Sequence, residues 1–369
     1  MKVLFVSSLS SKYNSGNSSY MHRLTFLKKG LENLGVETDI VYLGDFFLGK
    51  PAILSPFVAI KLKKILTKYD FVHAGGAGSA YAISVIKRLF KLKINLIYDV
   101  HGDTVGENYL LKRGFFDIIT YFKIFQAKIM ENIAFRESDY FITCSKPLKE
   151  FYQSKGISLD KIDVITNSVD TELFKPKKIK KYNKKFIVTY AGGFQKWQGI
   201  HLLLESAENL CDEDIIFRII GFRNDDNKLK KEIKERLGYK CELIDALTRE
   251  KLVEYLNTSD TLIIPRKYNK ALNMAFPTKF AEYVSMGKPV ILTDVSQISE
   301  LVKKYKCGIV CKPNSSSLTE AIKGMKELDP VQINAMGMNG RKLAIEKLDK
   351  DVITNKFHQK LVYWEENYD

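Results

Sequence analysis

The sequence is poor in cysteine, and the few it has are not arranged in pairs. Its 369 residues contain five, at positions 144, 211, 241, 307 and 311, with no CxxC spacing. An odd, unpaired set excludes a disulfide framework and weighs against a structural zinc site, so all five read as reduced thiols in a cytosolic protein. No apolar run approaches the roughly 18 residues that a membrane-spanning helix needs. The opening MKVLFVSS is too short an apolar stretch for a signal peptide and reads as a first strand. A metal-binding DxD is also lacking: Asp212-Glu213-Asp214 precedes a strand and reads as a loop. There is no internal repeat and no low-complexity segment beyond one lysine-rich run.

What the chain has in excess is positive charge. Lys and Arg number 58 against 43 Asp and Glu, a formal net charge of +15. Residues 45–136 hold 14 basic and 7 acidic side chains, which accounts for the whole excess of the first half. The basic residues there alternate with large apolar ones, as in KLKKIL (61–66), IKRLFKLKI (86–94) and LLKRGFFDIITYFKIF (110–125). That mixture suits an anionic membrane surface, although a helix that buries one face and turns lysines outward has the same composition. No nucleic-acid signature accompanies the charge, and no nucleic-acid partner is expected.

Along the chain, short apolar runs alternate with amphipathic ones. The runs KVLFVS, TDIVYL, FVHA, INLIYDV, YFITC and KIDVIT read as strands, followed after the polar run KPKKIKKYNKK by FIVTYAG, IIFRIIG, ELID, TLIIP, PVILT and GIVC. Apolar strands separated by helices imply parallel sheets covered on both faces. The expected fold is therefore α/β, with two doubly wound Rossmann-like domains facing a cleft: residues 1–174, a linker at 175–185 and residues 186–350. The segment 351–369, with Phe357, Leu361 and Trp364 at helical spacing, reads as a helix.

In doubly wound sheets ligands bind beyond the carboxyl ends of strands, and the candidate residues are found there. The first strand runs into SSLSSKYNSGNSSY, where Gly16 and the serines open a helix whose N–H groups suit an anion. The fourth strand ends in DVHGDTVGEN, which clusters His101, Asp103 and Glu107 as candidate catalytic residues. In the second half YAGGFQKWQG offers Gly193 and Gln198 ahead of another helix, and the strand TLIIP runs into Arg266. The segment FPTKFAEYVSMGKPV reads as a helix with Pro277 in its first turn, ending near Gly287 before a buried strand. It carries Lys279 and Glu282 three residues apart. Two cations, Arg266 and Lys279, beside helix N-termini suit a diphosphate, and Glu282 suits ribose hydroxyls; an exposed i, i+3 ion pair is the plainer reading of Lys279 and Glu282. One further motif resembles a dinucleotide fingerprint: Gly75-Gly76-Ala77-Gly78-Ser79-Ala80 follows a strand, and Asp99 ends the next. Tyr81 occupies the third glycine position, which argues against NAD binding and for a tight turn.

Taken in order, these segments resemble the retaining glycosyltransferases of family 4, which have the GT-B fold. The resemblance rests on the strand-end His101-Gly102, on the border segment KIDVITNSVDTELFKP with Ser168 in place of a glycine, on YAGGFQKWQG and, most specifically, on PTKFAEYVSMGKPVILT. It implies an enzyme that moves a sugar from a nucleoside diphosphate donor, such as a UDP- or GDP-sugar, to a glycan or lipid-linked acceptor, with no metal and no cofactor, and a closing helix, 351–369, that crosses back to the first domain. It places Lys279, Arg266 and Gly16 at the donor phosphates, Glu282 at the ribose and His101 near the donor sugar. Its setting would be cytoplasmic, at the inner face of the membrane. Three positions depart from the family pattern. Met274 stands where a first glutamate usually faces the sugar, Gln198 replaces a lysine, and Gly193 an arginine. Two other readings stay open at this level: a nucleotide-sugar epimerase of the same fold, and a non-catalytic basic protein that binds membranes or nucleic acid.

Overall fold

The computed structural model describes residues 1–11, 19–46, 56–103, 105, 106, 109, 117–179 and 185–368. Each apolar run named above forms a strand. The chain divides into two compact units, one of Met1–Asn167 with Lys350–Asp369 and the other of Ser168–Asp349.

In the first unit the strands are β1 (Lys2–Ser7), β2 (Glu37–Tyr42), β3 (Phe71–Gly75), β4 (Asn95–Val100), β5 (Tyr140–Thr143) and β6 (Ile162–Val164). They form a sheet of order β2-β1-β3-β4-β5-β6, with every pairing parallel. Val3, Leu4, Phe5 and Val6 are all at most 1% exposed, as expected of a strand covered on both faces. The register sets Ser7 beside Gly75 and Gly75 beside Asp99, so these residues share the carboxyl edge. The sheet changes direction between β1 and β3, so the topological switch point lies at the carboxyl ends of these two strands. The helix Lys350–Tyr368 packs on helix Ser19–Asn33. Its Phe357, Leu361 and Trp364 enter the core of this unit, and Trp364 stacks on Tyr140 at 4.5 Å while its Nε1 donates to the Asp160 carbonyl at 3.0 Å.

The second unit holds β7 (Phe186–Ala191), β8 (Ile215–Phe222), β9 (Cys241–Asp245), β10 (Thr261–Ile264), β11 (Val290–Thr293) and β12 (Gly308–Cys311). The order is β12-β11-β10-β7-β8-β9, again parallel throughout. From β7 the chain winds outward through β8 and β9, then returns to β10 on the other side. The switch point therefore lies between β7 and β10. The loops that leave these strands carry Gly193 and Arg266.

The border segment Ser168–Phe174 belongs to the second unit. Val169 N–H donates to the Leu348 carbonyl at 2.9 Å, and Thr171 Oγ1 donates to Asp349 at 2.6 Å. Arg341 donates to the carbonyls of Thr171, Phe174 and Ser285. Lys175 and Lys177, the start of the expected linker, are tied to Asn257, which accepts from Lys177 N–H at 2.7 Å and donates to the Lys175 carbonyl at 3.3 Å. The helix carrying Lys279 runs from Thr278 to Ser285. Pro277 is its N-cap, with φ −67° and ψ 127°, and so stands one position outside the first turn where it was expected.

Candidate active site

In the first unit a strand of alternating side chains delivers a charge inward. Asp99, the penultimate residue of β4, is 1% exposed. Burial alone would raise its pKa. Arg23, then His101 and His73, overcome that and hold it well below the usual carboxylate range. Arg23 makes the fork: Nε to Oδ2 at 2.8 Å and Nη2 to Oδ1 at 2.9 Å, while its Nη1 donates to the Thr166 carbonyl at 2.9 Å. His73 Nε2 lies 3.2 Å from Oδ2, and the ring is enclosed by Phe5 and Phe357. With both oxygens engaged, Asp99 cannot serve the ribose of a dinucleotide. The glycine run after β3 also leaves no loop for one, because helix Gly76–Phe90 starts directly after Gly75.

His101 follows this strand. Its Nε2 is buried 3.5 Å from Asp99 Oδ2, while the side chain as a whole is 28% exposed. Burial pushes its pKa down to about 4, with Arg23 and His73 adding to the shift against the attraction of Asp99. The ring is therefore neutral at physiological pH. It meets Tyr20 edge-on at 5.1 Å. Asp103 accepts from the Gly106 N–H at 2.9 Å, so one of its oxygens shapes the turn after the strand. Gly16 and Glu107 lie outside the described residues.

The second unit assembles a different group. The chain leaves β7 through Gly192 and Gly193, makes a short turn at Lys196–Gln198, and enters helix Ile200–Glu208 behind Gly199. Gly199 has φ +74°, and a Cβ there would lie 1.6 Å from the Pro265 carbonyl oxygen. Only glycine permits that approach, which brings the start of this helix against the backbone at Arg266. Gly192 has φ +151°, and a Cβ there would fall 2.4 Å from Lys279 Nζ. The glycine therefore leaves room for the ammonium.

Lys279 is only partly buried as a residue, yet its ammonium is enclosed. Nζ donates to Tyr190 Oη at 3.2 Å and to Gln198 Oε1 at 3.1 Å, and lies 4.3 Å from the centre of the Tyr190 ring. Tyr190 in turn donates to the Gly193 carbonyl. Burial first, and then the nearby charge of Arg266, lower the Lys279 pKa to about 7 against the weaker opposing attraction of Glu282. Arg266 is 8% exposed, and its carbonyl accepts from Thr293 Oγ1 at 2.6 Å. Two basic side chains thus lie close to each other near a helix N-terminus, an arrangement whose electrostatics favour an entering anion. Tyr283 fixes this geometry from below, its hydroxyl bonding both Ala191 N–H (2.7 Å) and Ala191 C=O (3.1 Å).

Lys279 and Glu282 do not pair with each other as the plainer sequence reading would have it. Glu282 Oε1 lies 2.9 Å from Arg249 Nη2, and both side chains are largely buried, at 12% and 19% exposure. Of the candidates in this unit, Gly193, Gln198, Arg266, Lys279 and Glu282 come together around helix Thr278–Ser285. Met274, just ahead of that helix, is 7% exposed, so the position is apolar and enclosed. Sequence reasoning missed Tyr190, Arg249, Arg23 and His73. Tyr190, two residues before the glycine loop, carried a positional signal; the other three act at long range and carried none.

Two family models match in tandem. Residues 24–173 match the family 4 glycosyltransferases and residues 172–343 the glycosyl transferases of group 1. An uncharacterised glycosyltransferase of Methanocaldococcus jannaschii is 24% identical over 62% of this chain; the match spans 58% of that relative's length. Among solved structures, sucrose-phosphate synthase from Thermosynechococcus elongatus superposes with TM-score 0.78 at 15% identity, covering 99% of each chain. The Anabaena protein HepE in complex with UDP-glucose superposes with TM-score 0.74 at 17% identity, covering 98% of this chain and 99% of its own.

Proposed function

Because the chain belongs to the group 1 glycosyltransferases of family 4 type, with the GT-B fold, we propose that it transfers a sugar from a nucleoside diphosphate to a hydroxyl of a glycan or lipid-linked acceptor, with retention at the anomeric carbon. The observation that carries this reading is Lys279, held among Tyr190, Gln198 and Gly192 and depressed by burial and by Arg266. Such a cation is poised to gain from an anion. In the transfer the bond from the anomeric carbon to the β-phosphate oxygen breaks, a bond to the acceptor oxygen forms, and the acceptor's hydroxyl proton passes to the departing phosphate oxygen. Negative charge grows on the departing diphosphate, where Lys279 and Arg266 stabilise it more in the transition state than in the ground state. Glu282 takes the ribose hydroxyls.

His101, neutral and with Nε2 turned to Asp99, offers Nδ1 to a hydroxyl of the transferred sugar. Asp103 and Glu107 are the candidate groups for orienting the acceptor hydroxyl. The buried apolar Met274 supports transfer over epimerisation, because a carboxylate working on the sugar ring has no place at that position. A UDP-sugar is the first donor to try, since the structurally similar HepE was solved with UDP-glucose.

The test is a thermal-shift panel of UDP-, GDP- and ADP-sugars on the native protein and on Glu282→Ala. A donor at about 100 times its Kd contributes roughly 2.7 kcal/mol of stability. One base series should raise Tm in the native protein and lose most of that effect in the variant. No shift with any saturating donor would sink the reading. Anomeric NMR of the product then decides retention.

The proposed place of action is the surface of an anionic membrane. No helix among the described residues is long and apolar enough to cross a bilayer. Helix Ile118–Glu137 exposes Ile118, Ile119, Phe122 and Phe125 beside Lys123 and Lys128, a face that supports peripheral binding. Liposomes with anionic lipid should retain the protein at low salt and release it as salt rises; equal retention on neutral liposomes at high salt would contradict this.

A further inference from the structure

The ion pair between Arg249 and Glu282 belongs to no feature of the proposed chemistry, yet both of its side chains are largely buried. Arg249 opens helix Arg249–Asn257, behind the N-cap Thr248, whose hydroxyl accepts from the Lys251 N–H. Its guanidinium lies 4.7 Å from the centre of the Phe174 ring. Phe174 is itself fully buried, and its carbonyl accepts from Ser285 Oγ and from Arg341. The guanidinium is thus set on a fixed aromatic floor, with one nitrogen 2.9 Å from Glu282 Oε1. The approach is close but off the hydrogen-bonding axis, since Arg249 Nη2 makes no aligned hydrogen bond. The attraction is therefore chiefly Coulombic.

A carboxylate offers about four lone-pair directions over its two oxygens. A cation held at Oε1 favours one rotation of the carboxyl plane, and so presents Oε2 in one direction. A diol that donates hydrogen bonds to the carboxylate needs that direction fixed. We infer that Arg249 is a positioning residue for ribose recognition: by holding Glu282 Oε1 it presents Oε2 to the ribose hydroxyls, and so sets the preference for a ribonucleoside over a deoxyribonucleoside diphosphate. The inference rests on the proposed role of Glu282 and goes beyond it in naming the residue that orients the carboxylate. Arg249 touches no reacting atom.

The experiment measures, by calorimetry, binding of UDP, GDP and ADP and of their 2′-deoxy and 3′-deoxy forms. The proteins are the native chain, Arg249→Met, Arg249→Lys and Glu282→Gln. The readout is the ratio of ribo to deoxy affinity in the tightest series. The native protein is expected to prefer the ribonucleotide by about tenfold or more, the worth of a hydrogen bond to a charged group. Arg249→Met should reduce the ratio to about threefold or less while the deoxynucleotide, held by its phosphates, binds as before. Arg249→Lys keeps the charge but on a flexible ammonium without a planar face to lie on Phe174, and should fall between. A general loss of fold weakens ribo and deoxy ligands alike and leaves the ratio unchanged, so the ratio separates positioning from stability; Arg249→Lys carries the test if Arg249→Met does not fold. A native preference that survives both Arg249 substitutions but is lost in Glu282→Gln overturns this inference alone. Absence of any native preference, or of any nucleotide binding, overturns the role of Glu282 and this inference with it.

Discussion

Each parallel sheet brings one charged side chain to its carboxyl edge and encloses it, but the surroundings are opposite. Asp99 in the first unit meets Arg23 on both oxygens with His73 and His101 close by, and its charge is strengthened. Lys279 in the second unit meets a tyrosine hydroxyl, an amide oxygen and the field of Arg266, and its charge is weakened. In the first arrangement both carboxylate oxygens are already engaged by Arg23 at the strand end that carries His101. The second would be favoured by an anion. An enclosed charge that is already compensated is architecture; one whose neighbours disfavour it is a place to look for binding.

Four experiments break or sharpen that contrast. The largest effect is expected at Asp99. Asp99→Ala leaves Arg23 enclosed without its partner, and should lower the stability of the first unit by about 3–5 kcal/mol, read from denaturant unfolding. Nucleoside diphosphate affinity of the folded protein should hardly change; a large loss there would contradict the division of roles.

Lys279→Met should do the reverse. It removes a charge that burial disfavours, so the ligand-free Tm should hold or rise. Diphosphate binding should fall by about 10- to 100-fold with the loss of a charge-assisted contact. A destabilised Lys279→Met that still binds donor would make Lys279 structural.

The third experiment follows the proton. Burial and Arg266 lower the Lys279 pKa to about 7, and a bound diphosphate should raise it. Affinity should therefore be flat below about pH 7 and fall by up to tenfold per pH unit above it, until the pKa of the bound form is reached. Calorimetry near pH 8, in buffers of differing ionisation heat, should show uptake approaching one proton per ligand, and Lys279→Met should abolish it. In the ligand-free protein the sign is opposite: the depressed lysine makes stability rise with pH between about 7 and the ordinary lysine value of 10.5.

The smallest effect belongs to Gln198→Ala, which removes one neutral acceptor at 3.1 Å from Lys279. Donor binding should weaken by a few-fold, in line with about 0.5–1.5 kcal/mol for such a bond. A loss as large as that of Lys279→Met would show that Gln198 contacts the donor itself.

The expected strands were legible because both sheets are parallel and covered on both faces, so each strand is a short apolar run between amphipathic stretches. KVLFVS becomes β1 and PVILT contains β11 for that reason. The candidate positions were legible for a related reason: ligand residues of such sheets follow strand ends, and His101, Gly193 and Arg266 do so. Partners were not. The i, i+3 spacing of Lys279 and Glu282 allowed a local pair, but the first points to Tyr190 and Gln198 and the second to Arg249.

By itself, then, the sequence determined the α/β alternation, the parallel character of the sheets and the strand-end segments where chemistry would sit, since burial periodicity and turn residues act over a few positions along the chain. Tertiary structure alone decided which charges meet. The order of strands set β7 against β10 and so brought the Gly192 loop to Lys279 and Arg266, and the packing of helix Ser19–Asn33 brought Arg23 to Asp99. Electrostatics between enclosed groups depends on distance through the fold, and separation along the chain carries no measure of it.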